Sequence, residues 1–293
     1  MVPPVLYLLR DKFFPIALFI QSVFCGCAPH QDRGDFEKVR KDYSIKQIGR
    51  IPKQKVAEIS GFERANPEGD LWTQADGGNS ANLFKITPQG DLLGKLDLAP
   101  LTNIDWEDLA QDDEERLYIG DFGNNQNKRR NLAIYRLTGL PQKPTIDTIH
   151  FRYADQRSFP PKKSARNFDC EAFYYQHDSL YLFTKNRGKS GWVKEYVLPA
   201  QPGYYQAKLI DSIQVNTWIT AADISPDGHT VALLGYGRVY LIELQAGRKL
   251  FDCPKSCLLI PTTGQAEALV FTNNQDFVFS NEKGKIFRAQ RKR

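Results

Sequence analysis

Glu107, Glu171 and Glu267 each stand at the same point of a short phrase that recurs along the chain. Three carboxylates brought to one place form a ligand set for a hard cation, which takes several oxygen ligands in flexible geometry. The copies read Glu58-Ile59-Ser60-Gly61-Phe62, Asp105-Trp106-Glu107-Asp108-Leu109, Asp169-Cys170-Glu171-Ala172-Phe173, Thr220-Ala221-Ala222-Asp223-Ile224 and Gln265-Ala266-Glu267-Ala268-Leu269. Residues two apart on a strand face the same way, so Asp105 shares a face with Glu107, Asp169 with Glu171 and Gln265 with Glu267. Like charges gathered on such faces repel, and burial makes each costlier. They require a compensating cation, protons or Arg/Lys partners; calcium is the first choice and magnesium the second. Two other readings stand beside the metal: carboxylates that accept backbone N–H bonds from the next repeat and pin it, or direct catalysis. In the fourth copy Ala222 falls in the glutamate column and Asp223 one place later, in the column of Asp108.

The elements that position these groups follow from the spacing. Successive copies lie about 45 to 64 residues apart, the period of propeller blades. Between the copies, runs of Val, Ile, Leu, Tyr, Phe and Trp alternate with Gly, Asn, Asp and Pro, which is strand-and-turn grammar, and no long stretch carries apolar residues at helical spacing. The fold expected is all-β, a single propeller over residues 42–293 with five blades favoured and six as the alternative. Its last repeat has only three strands, so the ring is expected to close with an N-terminal strand at Tyr43–Ile51, which spares an open edge. The recurring phrase opens the innermost strand of each blade, beside the central channel. Loops after the second strands emerge at that same end and would rim it with Asp76, Asp121, Asn124, Arg129, Lys185 and Arg187. Acids at the centre with cations around them suit an anionic ligand bridged through a metal, although Gly and Asn in these loops are also ordinary turn residues.

The start of the chain reads as an export segment over residues 1–27: Arg10 and Lys12 precede about 12 mostly apolar residues that end at Cys25-Gly26-Cys27. That run is short of the roughly 20 residues a spanning helix needs. Gly26-Cys27 resembles a lipobox, with Cys27 as the lipidated residue; a cleaved signal or an uncleaved anchor are the other outcomes. Residues 28–41 read as a polar tether, giving an exported protein that is secreted or held to the bacterial envelope by its N-terminal lipid alone. Cys170 alternates into the core. Cys253 and Cys257 could close a small disulfide in an oxidising compartment, with a zinc pair as the rival. The net charge of +5 is dispersed, which argues against a nucleic-acid partner.

No Gly-x-Ser-x-Gly elbow, Walker loop or His-Glu-x-x-His is present, and His30, His150, His177 and His229 share no common position. Catalytic residues are therefore not assignable from motifs. The phrases opening at Glu58 and Asp105 resemble blade openings of the SdiA-regulated and esterase-like phytase propellers. Asp105-Trp106-Glu107-Asp108, Gly120-Asp121-Phe122-Gly123-Asn124-Asn125 and Asn167-Phe168-Asp169-Cys170-Glu171-Ala172 are similar to a group of exported bacterial propellers. The resemblance spans most of residues 55–290. It implies a calcium-associated propeller and, residue by residue, Glu58, Glu107, Glu171 and Glu267 as ligands; Ser60 holds the glutamate column in the first copy. Two functions follow: an envelope module that binds a small anionic ligand or a protein partner through a calcium-filled mouth, or a metal-dependent hydrolase of a phosphoester (phytase-like) or lactone.

Overall fold

Half-buried strands of alternating pattern, separated by Gly, Asn and Asp turns, pair most readily with their neighbours in sequence. The computed structural model, which describes residues 36–293 apart from Asn186, Lys189, Ser190, Asn216 and Thr262, follows that rule. The export segment, Cys27 and the tether through residue 35 lie outside the described residues. Two strands come first, β1 (Glu37–Lys38) and β2 (Tyr43–Arg50). A first meander follows with β3 (Ile59–Arg64), β4 (Leu71–Ala75), β5 (Asn82–Ile86) and β6 (Leu92–Asp97). The second comprises β7 (Trp106–Gln111), β8 (Leu117–Asp121), β9 (Leu132–Thr138) and β10 (Thr145–Tyr153). The third comprises β11 (Cys170–Gln176), β12 (Ser179–Thr184), β13 (Trp192–Pro199) and β14 (Gly203–Gln214). The fourth is β15 (Ile219–Ile224), β16 (Thr230–Gly235), β17 (Arg238–Glu243) and β18 (Lys255–Leu259). The last has β19 (Ala266–Phe271), β20 (Phe277–Asn281) and β21 (Lys285–Arg291). Among the described residues the only helical segments are three single 3₁₀ turns.

Each meander is antiparallel and in sequence order, and the last takes β2 as its fourth strand through Tyr43↔Arg291 to Arg50↔Lys285. The first strands touch in a closed cycle: β3 meets β7, β7 meets β11, β11 meets β15, β15 meets β19, and β19 returns to β3. The molecule is thus an all-β propeller closed by its N-terminal strand. Burial falls from the inside outward; β7 is buried for five of its six residues, whereas β6 alternates between exposed and half-buried. One apolar cluster fills each seam. Trp72, Trp106 and Ile119 join the first two meanders, and Phe122, Phe173 and Tyr196 the second and third. Phe183, Tyr240 and Phe251 join the third and fourth, Leu234 and Phe279 the fourth and fifth, and Phe62 and Val278 the fifth and first. Burying each such side chain stabilises the fold by about 1.5–3 kcal/mol, and the seams hold the strand openings in one circle.

Three details depart from the sequence reading. The tether was expected to run to Lys41, yet Phe36 is buried with its ring 4.7 Å from that of Tyr240, and β1 pairs in parallel with Ser256 and Cys257. Phe36 supplies the apolar anchor that a polar linker lacks. Cys253 and Cys257 are not joined to each other: Cys253 keeps a free thiol, turned back on the Lys249 carbonyl at 3.4 Å, while Cys257 is disulfide-bonded. Cys257 is fixed in register opposite Tyr240 on β17, whereas Cys253 precedes the strand, after the 3₁₀ turn Leu250–Asp252. Finally, the outermost strands β10 and β14 pair in parallel, from Ile149↔Gly203 to Tyr153↔Ala207, and weld the second and third meanders into one eight-stranded sheet.

Candidate metal centre

Every first strand slips in register against its neighbour near its start: between Ser60 and Phe62, Trp106 and Leu109, Cys170 and Ala172, Ile219 and Ala221, and Ala266 and Ala268. Such bulges re-aim side chains. The pairs that open these strands are Ile59↔Ala75, Trp106↔Asp121, Cys170↔Thr184, Ile219↔Gly235 and Ala266↔Asn281. The residue after each of these defines one tier around the channel: Ser60, Glu107, Glu171, Thr220 and Glu267. The preceding tier is Glu58, Asp105, Asp169, Trp218 and Gln265, and the facing loops add Asp76, Phe122, Lys185, Tyr236 and Glu282. Thr220, not Ala222, therefore holds the glutamate column of the fourth repeat. The acid that suggested the alignment, Asp223, lies three residues further down the strand, where it accepts the Phe271 N–H at 2.7 Å.

Two hydroxyls of the tier tie neighbouring meanders together. Ser60 Oγ donates to the Glu107 carbonyl, and Thr220 Oγ1 to that of Ala266 at 2.6 Å. Glu171 is held by its own meander: Lys185 Nζ lies 2.7 Å from one oxygen and an Arg187 guanidinium nitrogen 2.9 Å from the other. Arg187 Nε also reaches Asp169 at 2.5 Å. Glu267 accepts from the Tyr236 hydroxyl at 3.0 Å. Two cations hang beside an aromatic wall, with Lys185 Nζ 5.7 Å and the Arg187 guanidinium carbon 5.1 Å from the Trp218 ring centre.

Asp76, Asp105 and Glu107 stand apart from those pairs. Each offers a carboxylate oxygen, and the three oxygens lie within 4.8 Å of one another. Glu107 is nearly sealed, while Asp76 and Asp105 are half-buried, so the group opens to solvent on one side. Burial, then the charges of Glu171, Asp76, Asp105 and Asp169, push the Glu107 carboxyl well above the ordinary range. Burial raises Asp76 to about 6, helped by Glu171 and Asp105 and opposed by the Gly77 N–H, which donates at 2.6 Å. Burial also raises Asp105, against the pull of Arg129. Asp169 and Glu267 both rise to about 7, again chiefly by burial. Gly77 and Gly123 complete the cradle: a methyl group at Gly77 would strike Asp105, and one at Gly123 would strike both Glu107 and Asp105. Among the described residues, seven mouth carboxylates (these three with Asp121, Asp169, Glu171 and Glu267) face only Arg129, Lys185 and Arg187. All-oxygen donors around an uncompensated negative charge fit a hard divalent cation.

The other residues singled out from the sequence take different places. Asp121 is fully buried and bound to Arg129 at 2.8 Å, and it accepts the Asp105 N–H at 3.1 Å. Asn124 is equally internal, its N–H on Asp169 at 2.6 Å and its amide on the Phe168 carbonyl at 3.1 Å. Both brace the mouth from behind. Lys185 and Arg187 neutralise Glu171 and Asp169. Glu58 is exposed with a left-handed φ of 48° and stays apart from the triad, because Ser60 occupies the inward position of its strand. Asp105, Trp218 and Tyr236 join the residues expected from the sequence; strand alternation with Glu107 marks Asp105, whereas no motif marks the aromatic pair.

Neither a protein-family model nor a curated protein sequence matches this chain. Solved structures do resemble it. The PQQ-bound aldose sugar dehydrogenase from Streptomyces coelicolor superposes with a TM-score of 0.50 at 10% identity, over 85% of this chain and 98% of that one. A gluconolactonase from Xanthomonas campestris, XC5397, gives 0.47 at 13% identity, over 86% and 91%. Virginiamycin B lyase from Staphylococcus aureus gives 0.41 at 15% identity, with 78% of this chain matching 65% of that one, so the chain spans just under two thirds of that relative. These proteins are β-propellers, and the likeness concerns the fold alone.

Proposed function

We propose that the channel mouth is a divalent-cation site, with calcium preferred, and that the protein is an exported envelope module using this site to capture a small anionic ligand. Asp76, Asp105 and Glu107 would hold the ion, the ion would take the anionic group of the ligand, and Trp218 would wall the ligand beside the Lys185 and Arg187 ion pairs. The observation that carries this reading is the charge imbalance at the mouth. Cations neutralise the acids of the third meander, whereas the triad of the first two has none bonded to it among the described residues. The test is calorimetric titration of chelator-treated protein with calcium and magnesium. One tight site for calcium is expected, with affinity lowered at least about tenfold by Glu107→Gln and by Asp105→Asn; unchanged affinity in both variants would refute the assignment.

A second reading rests on Glu267. Its carboxyl titrates near 7, it is partly open to solvent, and it feels the charge of Asp76. A group poised there can act as a general base on a substrate held by the cation, which supports hydrolysis of a lactone or phosphoester. Turnover of generic lactones or phosphoesters by the calcium-loaded protein, lost in Glu267→Gln while calcium binding persists, would establish it. Ligand binding without turnover would leave the capture reading alone.

A further inference from the structure

Glu195 on β13 and Asp211 on β14 are directly opposed in an antiparallel pair, so their side chains share a face. The pairing slips by one residue just beyond them, between Glu195 and Tyr196. Both are nearly sealed from solvent, Glu195 at 2% and Asp211 at 5% exposure. Two acids opposed in this way repel and weaken a sheet. Asp211 is prepared as an anion: one oxygen accepts the Ser212 N–H at 2.8 Å and the other the Phe251 N–H at 3.0 Å. Glu195 is different. Its Oε2 is buried and makes no hydrogen bond among the described residues.

The pair lines a cavity of about 500 Å³ between the third and fourth meanders, at the opposite end of β11 from Glu171. Tyr174 and Tyr181 form an aromatic wall, their rings stacked with centres 5.0 Å apart and 10° between planes. His177, His229, Arg248 and Lys249 stand around the opening. Burial, then the charge of Asp211, lifts the Glu195 carboxyl to about 8.

We propose that this cavity is a second binding site, for a small organic ammonium ion whose N–H groups bond Glu195 and Asp211 beside the Tyr174–Tyr181 stack. An ammonium offers three donors, of which one meets the orphaned Oε2 of Glu195 beside the Asp211 carboxylate. Its charge is welcomed by aromatic faces. A calcium ion fits less well, because it takes six to eight oxygens, and two carboxylates against tyrosine rings do not supply them. The cations at the opening would further favour an amine that carries an anionic group at its far end.

The test uses the full chain and three probes of one length: n-butylamine, 4-aminobutyrate and butyrate, each titrated by calorimetry with calcium present and absent. Both amines are expected to bind and butyrate is not. Glu195→Gln, which keeps the shape and removes a buried like charge, is expected to melt no lower than the parent chain and to lose at least about tenfold in amine affinity. Glu107→Gln at the distant mouth should leave amine binding unaltered, which separates this site from the cation site. Failure of both amines to bind, equal affinity in Glu195→Gln, or displacement of the amines by calcium in the Glu107→Gln chain would each overturn the proposal.

Discussion

Glu107 and Asp108 are neighbours in one bulge and do opposite work. Asp108 is fully buried, and one of its oxygens accepts the N–H of Phe173 at 3.2 Å and that of Ala222 at 3.1 Å. It therefore ties the second meander to the third and fourth. Burial drives its carboxyl well above the ordinary range, although three backbone N–H donors favour the anion. Asp108→Ala leaves those donors stranded and should cost about 2–4 kcal/mol in urea unfolding, with Asp108→Asn recovering part through its remaining carbonyl oxygen. Glu107 instead brings repulsion: Glu107→Gln should leave the chelated protein equally or more stable while weakening calcium binding. Gly123→Ala makes the same separation by shape. Its methyl group would collide with Glu107 and Asp105, so calcium affinity should fall at least about tenfold while the circular-dichroism melt moves by only a few degrees.

At the scale of the strand, alternation was legible wherever pairing stays regular. Apolar and β-branched runs bounded by turn residues mark strands such as β5 and β16, whereas the apolar residues from Leu250 to Ile260 divide between a 3₁₀ turn and β18. The bulges were not legible, because a one-residue slip leaves no compositional mark. They are the reason the fourth repeat was aligned two places late and Glu58 was grouped with the inward acids. The parallel seam between β10 and β14, and the Glu195–Asp211 pair close to it, were hidden for another cause. They join outer strands, whose register no repeat dictates. Closure by β2 was legible, since a three-stranded last repeat needs an edge partner. It also supports a prediction: removing residues 36–50 uncovers the β21 edge and the apolar surfaces that Phe36 and Tyr43 cover, at Tyr240 and Phe277. The truncated chain should melt on the order of 10 °C lower and aggregate on heating, as followed by scanning calorimetry and light scattering.

Across the whole molecule the raised carboxyls link stability to pH and to metal. Asp76 titrates near 6, Asp169 and Glu267 near 7 and Glu195 near 8, each above the value of about 4 expected in an unfolded chain. The folded state therefore keeps protons that the unfolded chain has already released. Stability declines wherever the native state binds more protons than the unfolded one. The metal-free protein should lose stability steadily as pH rises from about 4 to about 8, with Asp76, Asp169 and Glu267 contributing up to about 7, Glu195 up to about 8, and Glu107 and Asp108 adding to the same decline. A cation at the mouth takes the place of those protons. Saturating calcium adds RT ln(1 + [L]/Kd), about 2.7 kcal/mol at one hundred times Kd, and the gain should be larger at pH 8 than at pH 5, where protons compete for the same oxygens. Thermal melts over that pH range, with chelator and with millimolar calcium, measure both slopes. A chelated protein equally stable from pH 5 to 8, or a calcium shift that does not grow with pH, would mean that the mouth acids are neutralised from within and hold no ion. In Glu195→Gln the decline between pH 7 and 8 should flatten while the calcium-dependent gain persists, because the two acid clusters lie in different seams of the ring.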